Sequence, residues 1–124
     1  MLRLAVGDCF SFVTTFVQAK ITFFIKHLMF TDSHCHLVFP ELMSQLHQIR
    51  TAMAEARVTR ALCICTTMEE FESVHNLATS YDNFWATVGV HPDNEASDEA
   101  GNQLREPTFD DLVQRAGLPR VVGI

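Results

Sequence analysis

Two histidines separated by one residue carry the strongest chemical signal in the sequence. His34 and His36 follow a short apolar run, in the segment Asp32-Ser33-His34-Cys35-His36. In extended backbone, side chains two residues apart point the same way, so both imidazoles can reach one divalent cation from the end of a single strand. Asp32 is a candidate carboxylate for holding the orientation of these ligands. Because a bound cation activates water and polarises a carbonyl or phosphoryl oxygen, the pattern predicts a hydrolase.

His91 is a second candidate for the same site. It stands in the segment Val88-Gly89-Val90-His91-Pro92, again at the C-terminal end of a predicted strand. In a parallel barrel that end faces the same mouth as the histidine pair, so His91 could contact a substrate phosphate or assist the metal site. Local packing within the loop is the alternative for this residue.

The remaining groups with ligand chemistry are predicted to have structural roles. His47 and His75 fall within predicted helices, and Cys63 and Cys65 lie in an apolar run that is typical of a buried strand. The four cysteines are predicted to be reduced thiols of an intracellular protein. The acidic residues between 93 and 99 lack the glycine and ligand spacing of a calcium loop, which predicts a solvated loop.

Strands and helices are predicted to alternate along the chain from residue 29. Apolar runs predict strands at 29–32, 58–65, 84–90 and 121–124, and periodicity and capping pairs predict helices at 40–56, 67–81 and 108–117. A polar loop is predicted at 91–106. Repeated βαβ units require a parallel sheet with right-handed crossovers, and they begin both doubly wound sheets and (β/α)8 barrels. Since a barrel takes about 250 residues, the chain is predicted to be part of a larger fold.

Composition and charge exclude several classes of protein. With 48% hydrophobic residues, the chain is too apolar to be disordered, and a formal net charge of -6 argues against a broad basic surface for nucleic acid. Residues 1–28 are predicted to be a non-native or disordered apolar extension, and residues 29–124 the folded domain. The longest uncharged stretch of the extension has 11 residues, whereas a membrane span needs about 20. We therefore expect a cytoplasmic protein with no membrane partner.

Three motifs together resemble the TatD family of metal-dependent deoxyribonucleases. They are the segment MFTDSHCHL at 29–37, the segment GVHP at 89–92 and the segment VVGI at 121–124, in the order that the family has. The resemblance implies the N-terminal portion of a TIM-type (β/α)8 barrel, with about three βα units plus a fourth strand. It implies that His34 and His36 are metal ligands and that His91 is an active-site residue near substrate phosphate.

The resemblance also implies an activity, with its cofactors and partners. Family members cleave DNA phosphodiester bonds with a metal-activated water, often as 3'-5' exonucleases, on single-stranded DNA or 3' ends. The complete family site holds two divalent ions (Mg, Mn or Zn), and its further ligands are a Glu, two His and an Asp that follow the VVGI segment. These are absent from the 124 residues, and Val38 stands where the family usually has Asp. We therefore expect this chain to be an incomplete, weakly active or inactive hydrolase.

Two alternatives stay open on the sequence. The first is a truncated, non-enzymatic remnant that binds metal weakly. The second is a different amidohydrolase-like metal enzyme that acts on an amide or a lactone.

Overall fold

The fold is a four-stranded parallel sheet with helices between its strands. The computed structural model describes residues 18, 20, 28–92 and 104–124. The strands are β1 (Phe30–Cys35), β2 (Val58–Cys63), β3 (Phe84–Thr87) and β4 (Val121–Gly123), and the helices are α1 (Pro40–Met43), α2 (Leu46–Glu55), α3 (Phe71–Ser80) and α4 (Phe109–Ala116). All three strand pairings are parallel, so the predicted parallel sheet is confirmed.

The strand order distinguishes between the two folds that the sequence leaves open. Each strand lies beside the strand that precedes it, in the order β1-β2-β3-β4. A doubly wound sheet reverses its order at a switch point and therefore carries helices on both faces. Right-handed crossovers without such a reversal put α2, α3 and α4 on one face, where they pack against a single apolar cluster. The arrangement is that of a partial (β/α)8 barrel.

The core lies between the helices and one face of the sheet. Phe71 and Val74 of α3, and Phe84 and Ala86 of β3, are completely buried. Their spacing matches the helical period in α3 and the strand period of two in β3. This apolar cluster fixes the strands relative to the helices and so positions the ends of the strands.

The opposite face of the sheet is open in the part of the chain that the structure describes. Leu62 and Trp85 alternate with core residues in β2 and β3, and Val122 of β4 is 62% exposed. With Thr31 and Arg60 these side chains line a groove of about 320 Å³. In a closed barrel, this face of the strands points into the barrel interior.

The first predicted helix is broken in two, which corrects the sequence prediction. In a continuous helix the Glu41 carbonyl would accept from the Gln45 N–H, but here it accepts from the side chains of Ser44 (2.9 Å) and Gln45 (3.1 Å). The Gln45 N–H donates to the Leu42 carbonyl instead. Because of the break, Leu42 is 37% exposed and only Leu46 onward packs against the core.

Three strand ends also differ from the prediction. β1 continues to Cys35, whereas β2 stops at Cys63, two residues early. Past that point the Cys65 N–H donates to the hydroxyl of Thr87 (2.9 Å) rather than to a carbonyl of β3. β3 ends at Thr87, and two residues later Gly89 has φ of 155°, a value that side-chain-bearing residues rarely adopt.

The second predicted helix begins later than the sequence suggests. The Thr67 hydroxyl accepts from the Glu70 N–H (3.2 Å), as in one half of a capping box. The Glu70 carboxylate, however, accepts from the Thr66 N–H, so the two residues form a turn and α3 starts at Phe71. The apolar face of α3 is nevertheless buried.

The third predicted helix is confirmed with its cap. The Thr108 hydroxyl accepts from the Asp111 N–H (3.2 Å), and the Asp111 carboxylate accepts from the Thr108 N–H (3.0 Å), which is a capping box. Gly117 follows the last helical residue.

Two predictions fall largely outside the described residues. These concern the apolar extension at 1–28 and the polar loop at 91–106. Within the described ranges, no helix is both long enough and apolar enough to cross a bilayer.

Candidate active site at the C-terminal edge of the sheet

A bulge in β1 sets the direction of the side chains at this edge. Asp32 and Cys35 pair with the two ends of the β2 segment Ala61–Cys63, so β1 contains one residue more than its neighbour here. A bulge of this kind re-aims the side chains that follow it. Cys35 therefore packs toward the helices, with its Sγ 3.9 Å from the Cys63 Sγ. Because side chains alternate along a strand, the residues on either side of Cys35 project to the open face.

Those two residues are His34 and His36, and their imidazoles converge. The two Nε2 atoms are 3.1 Å apart, the ring centroids are 5.0 Å apart, and the rings are inclined by 75°. The Asp32 carboxylate accepts from the backbone N–H of His34 (3.0 Å). The structure thus brings the predicted pair together, and the Asp32 contact is to the backbone that carries the pair.

An aromatic ring that the sequence reasoning missed orients His36. Phe39 stacks on the His36 imidazole, with centroids 5.2 Å apart and planes inclined by 16°. The His36 Nδ1 is buried and has no hydrogen-bond partner among the described residues, so Nε2 is the nitrogen that faces a partner. The only sequence signal for this contact is an aromatic residue three positions after the histidine. Val38 packs against the apolar core.

The geometry of the imidazole pair fits two ligands of one cation. Metal–nitrogen bonds of about 2.1 Å at angles of 90–110° place two ligand nitrogens about 3.0–3.4 Å apart. The observed separation of 3.1 Å lies in this range, and it also suits a proton shared between the rings. No cluster of three or more His, Cys, Asp or Glu side chains suited to a metal occurs in the described ranges. At this edge the described residues therefore offer two protein ligands, His34 and His36.

His91 lies at the same edge of the sheet. Its backbone N–H donates to the Thr66 carbonyl (2.9 Å), which continues the contact between the segments that follow β2 and β3. Two strand spacings of about 4.8 Å put its backbone about 10 Å from that of β1. Its side chain is exposed. The structure thus places His91 on the predicted edge, with β2 between it and the histidine pair.

Two side-chain hydrogen bonds hold the segment Cys65–Thr66, to which the backbone of His91 is bonded. The Thr66 N–H is bound by the Glu70 carboxylate, and the Cys65 N–H by the Thr87 hydroxyl. These contacts replace the sheet ladder where the strands have ended. The contact between Cys65 and Thr87 is not visible in the sequence, because it joins two segments whose pairing is set by the strand register.

Cys63 and Cys65 are buried in the strand packing, in line with the prediction for these two thiols. The Cys65 Sγ donates to the Thr67 carbonyl (3.0 Å), and burial raises the pKa of this thiol to about 11. The hydrogen bond between Cys35 and Cys63, together with burial, raises the pKa of Cys35. The same hydrogen bond lowers the pKa of Cys63.

Comparison with known proteins agrees with this architecture. The family described as TatD related DNase matches residues 31–124. The chain is also similar to a protein of Escherichia coli (strain K12) named "Uncharacterized metal-dependent hydrolase YjjV", with 32% identity over 79 residues. That match covers 62% of this chain and 30% of the relative, so the chain spans about a third of the relative's length. Since the family match includes all four strands and the histidine pair, the chain belongs to the TatD-related DNase family.

Proposed function

We propose that this chain carries the first metal-binding strand of a hydrolase that cleaves phosphodiester bonds in DNA. The observation that supports this proposal is the pair of imidazole Nε2 atoms 3.1 Å apart at the C-terminal edge of a parallel sheet. In barrels of this type, active sites are built at that edge. Membership of the TatD-related DNase family supports the choice of DNA as substrate.

Each residue of the edge has a role in this proposal. His34 and His36 hold a divalent cation through Nε2. Asp32 holds the backbone of His34, and Phe39 fixes the plane of the His36 ring. His91 contacts a phosphate oxygen of the substrate from two strands away. When bound, the cation supplies Lewis acidity to the phosphoryl group and lowers the pKa of water.

The cation also accounts for how an acidic chain could approach DNA. With a formal net charge of -6, the chain has no excess of basic residues for a broad phosphate-binding surface. The positive charge that attracts a substrate phosphate is therefore that of the metal. Two imidazole ligands favour Zn over Mg, which prefers oxygen ligands. Single-stranded DNA and 3' ends are the proposed substrates, as the resemblance to the family implies.

Metal binding by the purified 124-residue chain tests the first part of the proposal. Zn binding is measured by competition with a chromogenic chelator, for the wild type and for His34→Ala, His36→Ala and His47→Ala. We expect each of the first two substitutions to weaken binding at least tenfold, because each removes one of two ligands. His47 is an exposed histidine on α2, and its replacement controls for loss of an imidazole elsewhere. Equal affinity in all four proteins would contradict the assignment.

Hydrolysis is tested separately with labelled single-stranded DNA. We expect little turnover by the 124-residue chain with Zn, Mn or Mg, because catalytic zinc sites ordinarily have three protein ligands and the described residues offer two. Any cleavage should disappear in a His34→Ala/His36→Ala variant, and a 5'-labelled strand should shorten stepwise if digestion proceeds from the 3' end. Metal-dependent hydrolysis of an amide or lactone with intact DNA would instead favour the alternative enzyme class.

A further inference from the structure

Cys35 and Cys63 form a pair of thiols that the proposed hydrolysis does not use. They are direct partners in the ladder between β1 and β2, and their Sγ atoms are 3.9 Å apart. The Cys35 thiol also donates to the Leu62 carbonyl (3.3 Å). The third described cysteine, Cys65, is held differently, by the Thr67 carbonyl. Two thiols on adjacent strands therefore face each other.

The β1 bulge creates this pairing. From the pair Asp32–Ala61, regular counting would set Cys35 opposite Ile64 and leave Cys63 opposite His34. The extra residue in β1 shifts the register by one and brings the two sulfurs together. The same bulge directs the two imidazoles to the open face, so one backbone feature produces both arrangements.

A covalent bond between the sulfurs requires little movement. Neighbouring strands are about 4.8 Å apart, within the range of about 4.4–6.8 Å for the Cα atoms of disulfides. The sulfurs need to approach from 3.9 Å to about 2.05 Å. Cys35 is half-buried and Cys63 is 1% exposed, so Cys35 is the thiol that meets a soluble oxidant first.

We propose that Cys35 and Cys63 form a reversible disulfide, with hydrogen peroxide as the oxidant. The Cys35 thiol gives up its proton as its sulfur attacks one peroxide oxygen and the O–O bond breaks. The departing hydroxide takes up that proton and leaves as water, and Cys35 becomes a sulfenic acid. The Cys63 sulfur then displaces the hydroxyl group of the sulfenic acid, and the S–S bond forms with release of a second water. The two sulfurs lose two electrons, the peroxide gains them, and the two thiol protons leave in the waters. A dithiol reductant reverses the reaction by exchange.

The disulfide would tie β1 to β2 between the two histidines of the candidate site. Because Cys35 lies between His34 and His36 in sequence, the bond would hold the backbone that carries both rings. The proposal needs no bound metal, so it stands or falls independently of the hydrolase assignment.

The experiment uses the full chain with two thiols retained. A Cys9→Ser/Cys65→Ser variant at low concentration is treated with one equivalent of hydrogen peroxide, and its mass and free thiols are measured. We expect the mass of the monomer to fall by two hydrogen atoms and both free thiols to disappear. Dithiothreitol should restore the original mass and both thiols. A Cys9→Ser/Cys63→Ser control retains Cys35 and Cys65, and in it we expect a trapped sulfenic acid in place of the bond. An identical result for both variants would overturn the proposal.

A measurement on the unsubstituted chain covers the case in which a variant fails to fold. Trypsin releases Cys35 in the peptide 27–50, and it releases Cys63 with Cys65 in the peptide 61–105. After oxidation we expect these peptides to be joined, with fragmentation between Cys63 and Cys65 assigning the link to Cys63. A link to Cys65, or the two peptides recovered separately, would overturn the proposal.

Discussion

At the scale of single residues, burial changes the chemistry of Cys65. This thiol is 5% exposed and donates to the Thr67 carbonyl, and its desolvation raises its pKa to about 11. Burial disfavours a thiolate because the charge would lose its hydration. The folded state therefore holds the Cys65 proton at pH values where the unfolded chain releases it.

The raised pKa of Cys65 predicts a loss of stability in alkali. The neutral thiol contributes fully below the ordinary thiol pKa of about 8.5–9, and this contribution is lost as pH rises toward 11. Between pH 8 and pH 10.5 we expect Cys65 to account for about 1–2 kcal/mol of the fall in unfolding free energy. Urea unfolding at the two pH values measures this in the wild type and in Cys65→Ala. A fall of the same size in both proteins would show that Cys65 does not titrate in this way.

At the scale of secondary structure elements, α4 owes its start to a capping box. The reciprocal hydrogen bonds of Thr108 and Asp111 satisfy backbone donors that the first turn leaves without partners. Asp111 also forms ion pairs with Arg105 (2.7 Å) and Arg115 (3.1 Å). The hydrogen bonds from Arg105 and Thr108 hold the pKa of Asp111 far below its usual range.

Removing the capping hydroxyl should weaken α4. We expect Thr108→Ala to lower the unfolding free energy by about 0.5–2 kcal/mol, the usual cost of an N-cap loss. Thr108→Ser keeps the hydroxyl and serves as the matched control, with most of the stability retained. Urea unfolding followed by circular dichroism compares the three proteins. Equal losses for both substitutions would point to the Thr108 methyl group rather than the cap.

The same cluster predicts a defined response to acid. A carboxyl group whose pKa is depressed in the folded state contributes above its ordinary pKa of about 4, and the contribution is lost as pH falls further. We expect Arg105→Gln to raise the pKa of Asp111 toward its ordinary value, because the first cause of the depression is removed. Titration of the side-chain carboxyl signal by NMR measures the pKa. An unchanged pKa would assign the depression to Thr108 and Arg115.

At the scale of the whole molecule, the two faces of the sheet have different roles. Phe84 is completely buried under the helices, whereas its neighbour Trp85 lies on the open face with the Arg120 guanidinium 5.1 Å from its ring centroid. All the strands contribute to both faces, but the helices cover only one of them. Stability of the described part is therefore concentrated on the helix-covered face.

Adjacent aromatic substitutions test this asymmetry. We expect Phe84→Ala to cost about 3–5 kcal/mol, as for a large-to-small change in a core. Trp85→Ala should lower the unfolding free energy clearly less, although it removes a larger ring, because the Trp85 ring lies in a groove that is partly open to solvent. Urea unfolding followed by circular dichroism suits both variants, since it does not require the single tryptophan. Similar costs for the two substitutions would contradict the assignment of the faces.

Local patterns were sufficient for much of this protein. The order of strands and helices, the cap at Thr108 and the common direction of His34 and His36 follow from periods of 2 and 3.6 and from capping chemistry, which act over a few residues. The motifs shared with the family were likewise enough to indicate membership, which the family match confirms.

Other features depend on contacts between segments that are distant in the chain. The strand order that selects a barrel, the bulge that sets Cys35 against Cys63, and the Thr87 hydroxyl that ends β2 all arise from the register between neighbouring strands. The break in the first predicted helix has a local cause instead: the side chains of Ser44 and Gln45 compete with the backbone for the Glu41 carbonyl. A sequence pattern specifies which face of a strand or helix a residue prefers. The register between strands is set only when whole strands and helices pack together, because apolar surface is buried only between the assembled layers.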